Sequence, residues 1–208
     1  ANQKITDDTR IRESLSTIKY ALEQGAARVI LMSHLGRPDG KPNPVFSLKP
    51  VADHLSKLLG RPVVQASDCI GPKVASEIQA APKDAVILLE NLRFHAEEEK
   101  NEPNFAKALA ANGDVYVNDA FGTSHRAHAS VAGVVAHLPS GAGFLLEKEI
   151  KYLGEATKNP AKPFVLILGG AKVSDKIGLI ENMIPKVDLI IIGGAMAYTF
   201  GKVTGYAV

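Results

Sequence analysis

Three arginines stand just downstream of short apolar runs. Ser33-His34-Leu35-Gly36-Arg37 follows Val29-Ile30-Leu31-Met32, and Glu90-Asn91-Leu92-Arg93-Phe94 follows Val86-Ile87-Leu88-Leu89. The stretch from Asn118 to His128, which holds His125 and Arg126, follows Val115-Tyr116-Val117. Arginine suits phosphate and carboxylate because its planar fork donates two parallel hydrogen bonds. One such arginine is an ordinary solvated charge. Several at one rim, two with histidine close by, are expected to hold a small polyanion. His125 and His128 could share a helical face, but no carboxylate or cysteine stands at ligand spacing, so no protein-held metal is expected. Glu97-Glu98-Glu99-Lys100 is expected to be a solvated loop.

Further along, Leu166-Ile167-Leu168 runs into Gly169-Gly170-Ala171-Lys172-Val173-Ser174-Asp175-Lys176. Small residues at a helix entrance let a ligand approach backbone N–H groups, and the helix dipole favours an anion there. Lys172 and Lys176 have helical i, i+4 spacing, which would put both on one face of the first turns. The glycine spacing is that of neither a Walker A loop nor a GxGxxG fingerprint. Gly193-Gly194 closes the next apolar run in the same way, and two neighbouring glycine-rich strand ends would make a bed for a nucleotide. A sugar-phosphate-sized anion site facing a nucleotide site suits phosphoryl transfer, which is mostly positioning and charge neutralisation.

In an open parallel sheet, ligands bind beyond the carboxyl ends of the strands, so the elements before each motif decide whether the residues meet. Ile11, Leu15, Ile18 and Leu22 share one helical stripe, with Thr6 to Thr9 for capping and Gly25 as the stop. Ser47 is placed to cap a helix through Leu48, Val51, Leu55 and Leu58, and Pro72 to open another. A further helix is expected from about Asn104 to Ala111. Apolar runs separated by helices predict a doubly wound parallel α/β sheet with helices on both faces. A charged helix from Leu145 to Lys158 ends in Asn159-Pro160-Ala161-Lys162-Pro163, which is linker chemistry. The pattern then restarts with a strand at Phe164 to Leu168, a helix at Lys172 to Ile184, a strand at Leu189 to Ile192 and a helix near Ala195. The expected organisation is a first domain over residues 1–144, an interdomain helix and linker over 145–163, and the start of a second, Rossmann-like α/β domain over 164–208. Two parallel strands do not make a stable sheet alone, so that second domain is expected to be incomplete.

Composition narrows the class. The 208 residues carry 24 Lys+Arg against 22 Asp+Glu, a net charge of +2, with 46% hydrophobic and 22% charged residues. That argues against disorder, collagen and a coiled coil. The scattered charges give no basic footprint for nucleic acid, and no apolar run is long enough to span a membrane. Cys69 is the only cysteine, which rules out an internal disulfide and fits a reducing, cytoplasmic setting. Ala1-Asn2-Gln3 reads like the middle of a longer protein. No exposed apolar stripe stands out, and a monomer is the simplest expectation.

The motifs are also similar, in order, to those of the phosphoglycerate kinase family. The resemblance runs from Ile5-Thr6-Asp7-Asp8-Thr9-Arg10 through the His34–Arg37, Glu90–Phe94 and Asn118–Gly122 segments to His125-Arg126-Ala127-His128. It continues through Gly169–Val173, Asp175-Lys176 and Ala197-Tyr198-Thr199-Phe200. It implies reversible transfer between 1,3-bisphosphoglycerate and ADP, giving 3-phosphoglycerate and ATP in glycolysis. By that analogy, Arg10, His34, Leu35, Gly36, Arg37, Arg93, His125 and Arg126 line the 3-phosphoglycerate site. Gly169, Gly170, Ala171, Lys172, Lys176, Gly193 and Gly194 line the nucleotide phosphates, and Arg10 and Lys172 neutralise the transferring group. Magnesium would arrive on ADP or ATP, with its protein ligand beyond residue 208. Family members are roughly twice this length. A first strand with an Asp-Phe-Asn triplet and the rest of the nucleotide domain are missing, Ala195 stands where a glycine triplet usually continues, and Ser16 replaces a common proline. The competing expectation is an anion-binding fragment without turnover. An NAD-type enzyme is disfavoured by the absent GxGxxG.

Overall fold

The computed structural model describes residues 4–170 and 172–207. It divides into two compact units, Ala1–Lys148 and Glu149–Val208. The first contains α1 (Thr9–Glu13), α2 (Leu15–Glu23), β1 (Arg28–Leu31), α3 (Lys49–Leu59), β2 (Val63–Gln65), α4 (Pro72–Ala80) and β3 (Ala85–Leu88). It continues with α5 (Ala96–Glu99), α6 (Pro103–Ala110), β4 (Tyr116–Asn118), β5 (Ser140–Ala142) and the start of α7 (Phe144–Lys158).

Strands β1, β3 and β2 form a parallel sheet in that order, with Val86 opposite both Val29 and Val63. The central strand is buried along its whole length, and its pleat divides the core in two. Ile87 and Leu89 point into a cluster with Val74 and Ile78 of α4 and Phe105 and Leu109 of α6. Val86 packs with Ile18 of α2 and Leu55 of α3, and Leu88 with Leu48 and Ala52. Helices therefore cover both faces, the doubly wound arrangement that the apolar runs predict. Burying a side chain such as Ile87 stabilises the fold by roughly 1.5–3 kcal/mol.

In the second unit, β6 (Val165–Leu168) and β7 (Leu189–Ile192) pair in parallel, Val165 opposite Leu189, with α8 (Ile177–Met183) between them in sequence and α9 (Ala195–Val203) after. Leu168, Met183 and Met196 are buried, whereas Val165, Ile167, Leu189 and Ile191 are exposed. Asp188 fixes the entry to β6: it accepts from Phe164 N at 2.6 Å and from Lys162 Nζ at 3.0 Å. No helix among the described residues is long and apolar enough to cross a membrane.

Several local expectations need correction. The first helical stripe breaks at Ser14, whose hydroxyl donates to Ile11 O, so α1 and α2 are separate. Strands β2 and β5 lie where no strand is expected. Strand β4 pairs with β5 and not with the three-stranded sheet, so the three arginines do not follow consecutive strands of one sheet. The Glu97–Lys100 stretch is not a solvated loop: α5 forms there, and Glu98 is only 2% exposed. Helix α8 begins at Ile177, preceded by a 3-10 turn at Ser174–Lys176. Lys172 thus precedes any helix, and the shared helical face expected for Lys172 and Lys176 does not exist.

Candidate anion-binding site

The turn after β3 organises the first unit's site. Glu90 accepts from Ser47 Oγ at 2.7 Å and from Leu48 N at 2.8 Å, so this carboxylate anchors the entry to α3. Ser47 contributes an acceptor to Lys49 N at 3.2 Å, and the N-cap position itself is Leu48. Asn91 is wholly buried and donates from Nδ2 to Leu35 O at 2.8 Å and to Phe46 O at 2.9 Å. Its Oδ1 accepts from Arg93 N at 3.0 Å. These two polar side chains hold the loop after β1 and the loop after β3 together.

Arg93 is the next link. It is 5% exposed, and Nη1 donates to Gly36 O at 2.9 Å while Nε lies 3.3 Å from Glu99 Oε1. Nη2 is buried and has no hydrogen-bond partner among the described residues. A buried guanidinium group with an unused donor is costly unless something fills the position it faces. Gly36 must approach closely: it has φ +65°, and a Cβ there would come within 2.4 Å of the Phe46 ring.

His34 lies within the fields of Arg93, Arg126 and His128. Burial, then the neighbouring Arg93 and Arg126, push its pKa down from 6.5 to about 4. Arg126 Nε donates to His125 Nε2 at 3.4 Å. The structure therefore brings together His34, Leu35, Gly36 and Arg93, and puts Arg126 near enough to act on His34. Arg37 and Arg10 are exposed, and among the described residues neither makes a hydrogen bond or ion pair with this group. Arg10 sits on α1, whose N-terminus is steadied by Asp8 through Arg12 Nε at 2.9 Å and His54 Nε2 at 2.8 Å. Asp119 of the Asn118–Gly122 segment is a helix anchor, accepting from Leu145 N at 2.9 Å and Leu146 N at 3.0 Å.

The depressed His34 has a consequence for stability. Between pH 6.5 and about 4, the unfolded chain takes up a proton there and the folded chain does not. Stability is therefore lost as pH falls through this window, and His34 adds no further loss below about pH 4. Calorimetry from pH 7.5 to 4 should show a steeper fall in Tm for the wild-type chain than for His34→Gln; parallel curves would mean that His34 is not held neutral.

In the second unit the two glycine pairs meet. Gly193 N donates to Leu168 O at 2.8 Å, and Met196 N to Gly170 O at 3.1 Å. Gly170 has φ +149° and Gly194 φ +65°, and a Cβ on Gly194 would come within 3.6 Å of Gly170 N. The end of the Lys176 side chain lies over Gly170: a Cβ there would be 3.2 Å from Cε and 3.8 Å from Nζ. Gly169 and Lys172 are exposed, and Ala171 lies outside the described residues.

One group among the described residues has metal-ligand types: Asp68, Cys69 and His95, with ligand atoms within 4.8 Å of one another. Its atoms are already engaged. Asp68 Oδ1 accepts from Cys69 N at 2.7 Å and lies 2.7 Å from His95 Nε2, and burial pushes the Cys69 thiol up, holding it protonated. The trio ties the loop after β2 to the turn after β3. Its sulfur and nitrogen donors do not suit magnesium, which takes oxygen ligands.

The family model for phosphoglycerate kinase matches residues 1–208. The chain is 59% identical over 98% of its length to a phosphoglycerate kinase from Borreliella burgdorferi. It is 61% identical over 99% of its length to a cytosolic phosphoglycerate kinase from Triticum aestivum. It covers 52% and 51% of those proteins respectively, so it spans about half the length of the curated relatives it matches. The solved phosphoglycerate kinase from Coxiella burnetii aligns with all of the chain and 52% of its own, at 45% identity and a TM-score of 0.85. With a family match along its whole length and a shared fold, this chain belongs to the phosphoglycerate kinase family.

Proposed function

We propose that this chain supplies the 3-phosphoglycerate-binding part and the start of the nucleotide-binding part of an enzyme that moves a phosphoryl group between 1,3-bisphosphoglycerate and ADP. The observation that carries the reading is the buried Arg93 with its unused Nη2, near a His34 on which Arg126 also acts. A carboxylate or phosphate oxygen would satisfy that donor and also raise the depressed His34 pKa by adding a negative charge nearby. Arg37 and His125 complete the anion site, while Leu35 and Gly36 supply backbone. In this reading residues 1–144 form the 3-phosphoglycerate domain, 145–163 the connecting helix and linker, and 164–208 the start of the nucleotide domain.

Gly169, Gly170, Ala171, Gly193, Gly194 and Lys176 take the nucleotide phosphates. Glycines let a phosphate reach the backbone N–H groups, and Lys176 lies against one of them. Arg10 and Lys172 are assigned to the transferring phosphoryl group, where positioning and charge neutralisation supply most of the catalysis. No side-chain nucleophile is needed. Magnesium is carried by the nucleotide, as the family membership implies. The setting is cytoplasmic and the protein monomeric.

Isothermal titration of the 208-residue chain with 3-phosphoglycerate at low salt tests the anion site. Binding is expected, and Arg37→Ala should weaken it about tenfold, the loss of one charge-assisted contact. An unchanged Kd removes Arg37 from the site, and no binding by the wild-type chain overturns the reading. The half-length coverage favours one further reading, an anion-binding fragment without turnover. A coupled assay with Mg-ATP and 3-phosphoglycerate separates the two.

A further inference from the structure

Glu98 is a carboxylate buried in a run of glutamates. It is 2% exposed, whereas Glu97 and Glu99 on either side are exposed. Its Oε2 accepts from Ser130 N at 3.0 Å, its Oε1 accepts from Ser130 Oγ at 2.5 Å, and His128 Nδ1 lies 3.7 Å from Oε1. Removing a carboxylate from water costs several kcal/mol unless hydrogen bonds compensate, so these contacts define where the two segments sit.

Each of the two segments carries a cation of the proposed site. Arg93 precedes Glu98 by one turn and the start of α5, and Glu99 beside it pairs with Arg93 Nε. Arg126 precedes His128 and Ser130 and leads into the π-helical turn Ala129–Gly133. The Arg126 guanidinium group has no carboxylate partner among the described residues. Among those residues, every hydrogen bond and ion pair between segments 91–99 and 125–133 ends on Glu98.

We infer that Glu98 is a positioning residue for the anion site: by holding Ser130 and facing His128, it sets the placement of Arg126 relative to Arg93 around His34. Glu98 itself touches no ligand. The inference rests on the anion-site reading above, and its test is arranged so that the two can fail separately.

Glu98→Gln keeps the shape and one acceptor oxygen but removes the charge, and Ser130→Ala trims one donor on the other side. In the 208-residue chain, Glu98→Gln should weaken 3-phosphoglycerate binding about tenfold. Arg126→Ala should then cost several-fold less in the Glu98→Gln background than in the wild type, because the two act through one placement. A merely structural role would lower the unfolding temperature and leave the Arg126→Ala loss unchanged, which overturns the inference. The second readout needs no ligand. The Arg126 Nε–Hε resonance should shift in both Glu98→Gln and Ser130→Ala, and an unmoved resonance overturns the inference whatever the chain binds. If the wild-type chain binds no 3-phosphoglycerate and the resonance still moves, the proposed function fails and the placement role of Glu98 stands.

Discussion

On the proposed reading, replacing Lys172 with alanine in a full-length phosphoglycerate kinase that contains these residues should lower kcat about 10²–10³-fold, the loss typical of one preorganised electrostatic contact. Binding of 3-phosphoglycerate should stay within about twofold, since the role proposed for Lys172 lies in the transition state and not in the bound substrate. The physical reason lies in the turn after β6. Gly169 and Gly170 carry no side chain to shield a phosphate, Lys176 lies over Gly170, and Lys172 is exposed in the stretch before Lys176. In the role proposed for Lys172, its ammonium group would neutralise charge that grows as the phosphoryl group leaves, an interaction stronger in the transition state than in the bound substrate. Steady-state kinetics with separate measurement of 3-phosphoglycerate affinity checks it. An equal loss in affinity and kcat would move Lys172 out of the transition-state role and into substrate binding.

The reading of the strands succeeds and fails for one reason. Val86-Ile87-Leu88-Leu89 announces β3 because a strand covered on both faces needs apolar residues at every position, and this one is buried throughout. Strand β2 is three residues long, follows Pro62 and ends in a glutamine, while β5 is Ser140-Gly141-Ala142. Strand β2 opens with Val63-Val64 but is too short to mark a strand, and β5 has neither the length nor any β-branched residue. They exist because β3 and β4 offer them ladder partners, and that is information from elsewhere in the chain. The late start of α8 is similar: the lysine spacing suits a helix, but a 3-10 turn at Ser174–Lys176 precedes it and the helix begins only at Ile177.

The site was legible where residue type alone carries the chemistry. His34 follows β1 and Arg93 follows β3, and Arg93 Nη1 reaches Gly36 O, two residues beyond His34. What the spacing could not convey is that Arg93 lies inward, since arginine is ordinarily exposed and its burial depends on Gly36 O, far away in sequence. A glutamate run predicts a solvent-facing Glu98, yet the residue is buried. Its partner Ser130 is 32 residues away, and no local pattern points to it. Asp119 is the same case, its partners being the first N–H groups of α7. Long-range polar bonds between loops leave no periodic trace, so the supporting residues of the site emerged only with the fold.

Arg93 carries the largest expected binding effect. Arg93→Ala removes the one guanidinium group among the described residues that is both buried and left with a free donor, so 3-phosphoglycerate affinity should fall about 10–100-fold, the range for a lost hydrogen bond to a charged group. Stability should fall as well, by about 1–3 kcal/mol, because Gly36 O loses its donor in a part-buried position. The Glu99 pair adds little, since that carboxylate is half exposed and solvent screens it. Those two effects are separable with Arg93→Lys. A lysine ammonium group can restore a bond to Gly36 O and a positive charge, but it has no planar fork to offer a phosphate or carboxylate while doing so. Urea unfolding should therefore place Arg93→Lys near the wild type, while titration with 3-phosphoglycerate places it nearer Arg93→Ala. If Arg93→Lys binds as tightly as the wild type, the site needs only positive charge at that point, and the geometric role assigned to the buried guanidinium group is wrong.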